Sequence, residues 1–406
     1  MAPSLWLEDL APTPLREPPS RCDVAVIGGG IAGICLALHC ARLGLDTALF
    51  EARDLATRAS GRNDGQILLG LGEHYHRVVS QFGGEKARRL WRFLATNHEE
   101  LLGAIEGLDC DLRRAGGLRL AETPHEREEL AEASEKLLGD GIPHRLLDEK
   151  AVREMLPGAR GFFGAIELPG EAVVQPARMA RGLGSMAAAA GARLVPHREV
   201  RAIQGEAGDF SLELAGDTVR AGVVVHCTSA LARGLDDTGF LARTVFPFRG
   251  QILASEPLPA DIRARFPDRA MSSNFCYEYF RAHGNRFVIG GMRWSVPGEE
   301  AGILDDDTAN PLIRENLLGY VARHFPSLHG VRFPAEWTGI MAGTPDGLPL
   351  LGGIPGKPGV FTLSAFNGYG LSFAFHGARC LASIIASGRS PDPDADLFAP
   401  RRFWGS

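Results

Sequence analysis

Residues 22–51 read CDVAVIGGGIAGICLALHCARLGLDTALFE, and the fold turns on how this stretch is read. Val24, Val26 and Ile27 form a short buried strand. Gly28, Gly30 and Gly33 follow as GxGxxG. Ile34, Leu36, Leu38 and Ala41 mark the buried side of a helix ending near Gly44. A second strand covers 46–50 and delivers Glu51 at its end. Each glycine has a task. Gly28 makes the tight turn, Gly30 lets backbone approach a pyrophosphate, and Gly33 lets helix and strand pack closely. The helix N-terminus offers free N–H groups to phosphates. Glu51 is placed to accept hydrogen bonds from a ribose diol. Glycines also occur in ordinary turns of structural βαβ units. Strand, glycines, helix, strand and acid in this order favour a dinucleotide site.

A nicotinamide-type domain would continue with alternating strands and helices. Instead, Glu51 is closely followed by ASGRNDGQILLGL, residues 59–71. Ala59, Ser60 and Gly61 are small enough for close approach to phosphates or a ring system. Asn63 and Gln66 can hydrogen-bond polar edges. Arg62 reads either as a phosphate contact or as a solvated surface residue.

The chain has 406 residues, 45% of them apolar, and a net charge of −6. It can bury a large core and form about two or three domains. No apolar run approaches the roughly 18 residues of a membrane span. MAPSLWLEDLAPTPLREPPS is broken by prolines and lacks signal-peptide features, so a cytoplasmic location is expected. The seven cysteines are scattered without a CxxC pair, which argues against a zinc site. The acidic balance disfavours nucleic acid and anionic membrane as partners.

The motifs taken together resemble the FAD-dependent amine and amino-acid oxidases of the D-amino-acid oxidase superfamily. The nearest pattern is the branch containing gamma-glutamylputrescine oxidase; glycine and sarcosine oxidases are more distant. The resemblance begins at SLWLEDLAPTP and DVAVIGGGIAG. It continues through ASGRNDGQ, VVQPARMARGL, PFRGQIL, YEYFRAHGNRFVIGG and TPDGLPLLGG, and ends with AFNGYGLSFAFHGARCLA. The branch usually has glycine in place of Asp64.

The resemblance implies an α/β chain, α+β overall: a Rossmann-like FAD-binding domain with an interleaved substrate domain of antiparallel sheet plus helices. The FAD-binding part is expected at 1–72, 147–239 and 336–406, and the substrate part at 73–146 and 240–335. The first βαβ unit would hold the ADP half of FAD, with contacts from Gly28, Gly30, Ile31, Ala32, Gly33, Glu51, Ala52 and Arg53. Ala59, Ser60, Gly61, Arg62, Asn63, Gly65 and Gln66 would run beside the flavin end. Val200 would sit near the adenine, and Thr228 near the phosphates.

Periodicity agrees with parts of this division. Residues 178–190 are an Ala-rich helix, and Val223 to Val225 suit a buried strand. Residues 73–146 show helical spacing at Leu90, Phe93, Leu94 and Leu101. Residues 240–335 alternate as strands do. Near the C-terminal end, a strand over 360–365 runs into Asn367-Gly368-Tyr369-Gly370, and a helix is expected from Leu371 to about Ser387. Asn367, Gly368, Gly370, Leu371 and Ser372 are then placed at the flavin, where a helix dipole suits the pyrimidine edge. The branch commonly has His in place of Tyr369, which directs Tyr369 to the substrate side.

Tyr277, Tyr279 and Arg281 alternate along one strand and share a face. In the amino-acid oxidases a Tyr/Arg pair on such a strand grips the substrate carboxylate, so Tyr279 and Arg281 are substrate-binding candidates; a structural ion pair is the other reading of Arg281. His74, His76 and His376 are more readily packed than catalytic. No metal set or catalytic triad stands out, and the flavin carries the chemistry.

The implied reaction is oxidation of a C–N bond in an amine or amino acid, by hydride transfer to flavin N5 and hydrolysis of the imine. The acceptor stays open between oxygen and a quinone or carrier protein. Sarcosine-type oxidases place a Lys near the flavin, and FVIGGMR has none. A flavoprotein subunit without turnover is the reading from a different class. WTGIMAGTPDG contains no Cys at the position where sarcosine-type oxidases attach FAD, so the cofactor is expected to be non-covalent.

Overall fold

The computed structural model describes residues 4–404. Two eight-stranded sheets organise the chain. The first grows from the opening βαβ unit. Its first strand, Arg21–Ile27, lies parallel between Thr47–Phe50 and Thr218–His226. Arg193–Val195 extends one side in parallel and Val360–Ser364 the other. Val24 to Ile27 and all of Thr47–Phe50 are buried, as expected of a parallel sheet covered on both faces. Helix Ile31–Arg42 is buried along nearly its whole length, against helices Pro176–Ala189 and Ala374–Ser387. An antiparallel meander, Val200–Glu206 and Asp209–Leu214, is attached to Thr218–His226.

The second sheet runs Ala335–Gly343, Phe246–Ala254, Arg286–Gly290, Glu278–His283, Ala270–Ser273, Gly117–Ala121, Gly164–Leu168, Arg145–Asp148. Its neighbours are antiparallel except Ala270–Ser273 with Gly117–Ala121. Phe266, Phe280, Phe287, Tyr320 and Phe325 form an aromatic core between this sheet and helix Pro311–His324. The strands differ from the expected division in one respect. Gly164–Leu168 and Ala335–Gly343 both belong to the second sheet, although 147–239 and 336–406 were assigned to the cofactor part. Sequence periodicity marks strands but not their partners.

The expected 73–146 helices are present as Tyr75–Phe82, Gly84–Ile105 and Pro124–Gly139. No described helix is long and apolar enough to cross a membrane. The N-terminal segment acts as a strap. Trp6 is 1% exposed and sits edge-on to His283 and Trp337. Ser4 Oγ donates to the Gly61 carbonyl at 2.6 Å, and Gln175 Nε2 to that of Trp6 at 2.7 Å. These contacts pin the ASGR segment from outside.

Candidate FAD and substrate site

A cavity of about 890 Å³ runs from the glycine turn to the second sheet. Its nucleotide end is lined by Gly28, Gly30, Ile31, Ala32, Glu51, Ala52, Val200 and Thr228. The middle is lined by Ala59, Ser60, Arg62, Asn63, Gln66 and the turn Asn367–Ser372. Tyr277, Tyr279, Tyr369, Phe246, Phe248, Met341 and Arg293 line the part beside the second sheet.

Gly28 has φ +108°, and a Cβ there would lie 2.7 Å from the Cys227 carbonyl oxygen, so the turn admits only glycine. Gly33 does not line the cavity. Its missing Cβ would sit 2.0 Å from the Gly28 oxygen, which makes it a packing residue of the turn. Glu51 is fixed from two sides: Gly29 N–H donates to Oε2 at 2.6 Å and Arg53 N–H to Oε1 at 2.8 Å. Ser60 Oγ accepts from Ile31 N–H at 2.8 Å, tying the ASGR segment to the helix start.

The donor set fits a flavin dinucleotide. Thr228 Oγ1 and Gln66 Oε1 are buried without a protein partner, and both residues line the cavity. Buried polar atoms rarely stay unsatisfied, so each is available to a ligand. Gln66 Nε2 is already oriented by the carbonyls of Met271 and Phe280. Gly28 and Gly30 to Ala32 bring to the wall a turn and helix start of the kind that suits phosphates.

Several expected residues are placed otherwise. Arg53, Gly61 and Gly65 are not on the cavity wall. Arg53 reaches toward Asp306, while Gly61 and Gly65 press on the Ala56 and Val174 backbone. Arg62 is 2% exposed, which removes the surface reading. Its Nε donates to the Thr57 carbonyl, and Nη1 to those of Asp306 and Thr338. The last helix begins at Ala374, not Leu371. Gly370–Ser372 is a 3-10 turn, and Phe373 breaks the path with φ −132°. Asn97, fully buried, accepts from Phe375 and His376 N–H, so this helix start is already capped. The 370–372 turn, rather than the helix end, meets the cavity.

Arg281 requires the largest correction. It shares a strand with Tyr279, but only Tyr279 reaches the cavity. Arg281 is 2% exposed, and its Nη1 donates to the carbonyls of Asp64, Gly65 and Val174 at 3.2, 3.1 and 2.8 Å. Nη2 contacts His283 Nδ1 at 3.1 Å. Burial depresses its pKa to about 10. The guanidinium holds the ASGRNDGQ loop on the second sheet and is not available to grip a substrate carboxylate. Arg281→Met should lower stability by about 1.5–3 kcal/mol, because charged hydrogen bonds are lost and buried carbonyls are left unpaired. Urea unfolding reads this directly; an unchanged midpoint would show that the guanidinium carries no structural weight.

His74, His76 and His376 are packed. His376 lies between Glu100 and Asp392 at 3.0 and 2.9 Å, and His74 packs on Phe275 and His76. Sequence reasoning missed Phe246, Phe248, Met341, Cys276 and Arg293, which stand on the wall. Arg293 lies over the Phe248 ring at 4.8 Å and pairs with Glu299 at 3.3 Å. It also missed Glu171, only 1% exposed, which accepts from Arg119 Nη2 at 2.8 Å and Leu69 N–H at 2.9 Å. Asp64 was visible in the sequence only as a departure from the usual glycine.

The family model described as FAD dependent oxidoreductase (DAO) matches residues 23–384. Glycine oxidase of Geobacillus kaustophilus is 29% identical over 351 residues, covering 84% of this chain and 86% of that protein. Gamma-glutamylputrescine oxidoreductase of Escherichia coli is 27% identical over 371 residues, covering 90% and 83%. The crystal structure of the Geobacillus glycine oxidase superposes with a TM-score of 0.78 at 25% identity, covering 95% of this chain and 100% of that one. A glycine-turn βαβ unit, a cavity with unpartnered polar atoms and a family match over most of the length converge: the chain belongs to the DAO family of FAD-dependent oxidoreductases.

Proposed function

We propose that this protein oxidises a C–N bond of an amine or amino acid, with FAD held non-covalently in the cavity. The observation that carries this reading is the continuity of the cavity from Gly28 and Glu51 to Tyr277, Tyr279 and Tyr369. One space can then hold a dinucleotide and a small substrate together. The similarity to proteins named glycine oxidase and gamma-glutamylputrescine oxidoreductase supports the substrate class. Bound FAD supplies the hydride acceptor, flavin N5, and leaves an imine that hydrolyses to an aldehyde or keto acid.

The chain's own work is positioning. Gly28, Gly30 and the following helix start hold the pyrophosphate, and Glu51 the ribose. Asn63, Gln66 and the 367–372 turn take the ring end. Tyr279, Tyr369, Phe246 and Met341 enclose the substrate and exclude water. Fixing reactants in one geometry is worth several kcal/mol of the barrier. The Tyr369 hydroxyl donates to the Gly72 carbonyl at 3.3 Å, which joins the 367–372 turn to the loop before helix Tyr75–Phe82.

The test is anaerobic mixing of the holoprotein with a panel of amines and amino acids. Bleaching of the visible flavin band is the expected result. A flavin that no C–N compound reduces would contradict the proposal and favour a subunit without turnover. Admitting oxygen or an artificial acceptor afterwards identifies the reoxidant.

A further inference from the structure

We propose that Asp64 receives the substrate's ammonium group and takes a proton from it before C–H cleavage. This rests on the reading of the site as one for C–N oxidation. Asp64 lies on the ASGRNDGQ loop, lines the cavity and is half-buried. Its backbone carbonyl is fixed by Arg281 Nη1 at 3.2 Å. Its Oδ1 accepts from Gln66 N–H at 3.3 Å, a long contact. A carboxylate accepts about four hydrogen bonds, so capacity remains for a ligand.

The surrounding charge suits a cation. Glu51, Glu73, Glu199 and Asp346 are further carboxylates on the wall. Arg293 is paired with Glu299, Arg281 is committed to carbonyls behind the wall, and buried Arg119 is bound by Glu171. Tyr277, Tyr279 and Tyr369 add aromatic surface, which favours ammonium groups.

Chemistry then requires a proton acceptor. A free alkylamine carries a proton at neutral pH, since its pKa is ~10 like that of lysine. The nitrogen lone pair must be released before the α-carbon can lose hydride. In the proposed step one N–H bond of R–NH3⁺ breaks and one O–H bond forms on Asp64. The electron pair stays on nitrogen, and no oxidant is consumed until hydride leaves for FAD. Burial raises the Asp64 pKa, and the hydrogen bond from Gln66 N–H, the charge of Arg281 and the Gln66 side chain partly offset this. A raised pKa makes the carboxylate a better base. The charged and titratable groups facing it are Arg281 and Tyr279, both on strand Glu278–His283. Neither is free to replace it: Arg281 has no acceptor, and burial holds the Tyr279 hydroxyl protonated.

The experiment uses holoprotein of the wild type, Asp64→Asn and Asp64→Gly, with flavin content measured for each. The probe is whichever member of a panel of linear primary and N-methyl amines, diamines and amino acids reduces the wild-type flavin fastest. Anaerobic reduction rates at low substrate are followed from neutral pH up to the probe's own pKa. The wild type should be nearly flat, because it uses the ammonium form, which predominates throughout this range. Both variants should be slower by about a hundredfold at neutral pH, in the range of a lost general base. Their rates should climb about tenfold per pH unit, following the neutral amine. Variants that keep the flat profile and the wild-type rate would overturn the role of Asp64 while leaving C–N oxidation intact. A wild-type flavin that no probe reduces would overturn both.

Discussion

A Gly30→Val variant should fold and purify without colour. Its Cβ would meet only the Ser60 hydroxyl, at 3.1 Å, and its φ of −78° suits any residue. The Ser60 hydroxyl must shift by a few tenths of an ångström to admit the Cβ, and Gly30 lines the cavity where the pyrophosphate is proposed to lie. The expected loss of FAD affinity is about a hundredfold or more, equivalent to ~2.8 kcal/mol. Circular dichroism of the variant should match the wild type, while absorbance shows no flavin. Gly33→Val makes the contrast. There the clash is with the backbone oxygen of Gly28 at 2.0 Å, so this variant should fail to fold rather than fold empty. A yellow Gly30→Val protein would place the phosphates elsewhere.

Glu171→Ala should be strongly destabilising although it creates no steric clash. Glu171 and Arg119 form a pair with side-chain exposures of 1% and 6%. Arg119 Nη2 also donates to the Leu69 carbonyl at 2.6 Å, and Glu171 accepts from Leu69 N–H. Removing the carboxylate leaves a buried guanidinium uncompensated, at a cost of about 3–5 kcal/mol. That is a large part of the ~5–15 kcal/mol of a typical folded protein. The loop it anchors carries Leu71, Gly72 and Glu73 of the cavity wall, so FAD binding should weaken along with stability. Glu171→Gln keeps the shape and should cost less. Thermal unfolding of both variants measures the difference, and equal midpoints for alanine and wild type would remove the pair from the account.

The nucleotide half of the site was legible because its signals are local. Gly28, Gly33 and Glu51 act within one βαβ unit, and their spacing encodes the turn, the close packing and the acid at the strand end. The segment 59–66 was legible as a neighbour of the cofactor, yet its individual roles were not. Arg62 and Arg281 look alike in sequence to phosphate- or carboxylate-binding arginines. Arg281 is spent on backbone carbonyls such as that of 174, whereas Arg62 gives Nε and Nη1 to the carbonyls of 57, 306 and 338 and keeps a buried, unpartnered Nη2; long-range pairing decides both. The helix start at Ala374 was hidden for the same reason: its cap, Asn97, lies 278 residues from Phe375 in sequence. Strands Gly164–Leu168 and Ala335–Gly343 were not marked in the sequence, and their sheet is set by partners distant in the chain.

The central claim is that one cavity holds FAD by contacts alone. Two cysteines, Cys227 and Cys276, stand on its wall. Burial raises both thiols, which keeps them protonated and poorly nucleophilic. Acid precipitation of the purified yellow protein tests the claim most directly. All colour should pass into the supernatant as FAD, one per chain, and the pellet should not fluoresce. Colour retained by the denatured chain, or release of FMN in place of FAD, would contradict the account.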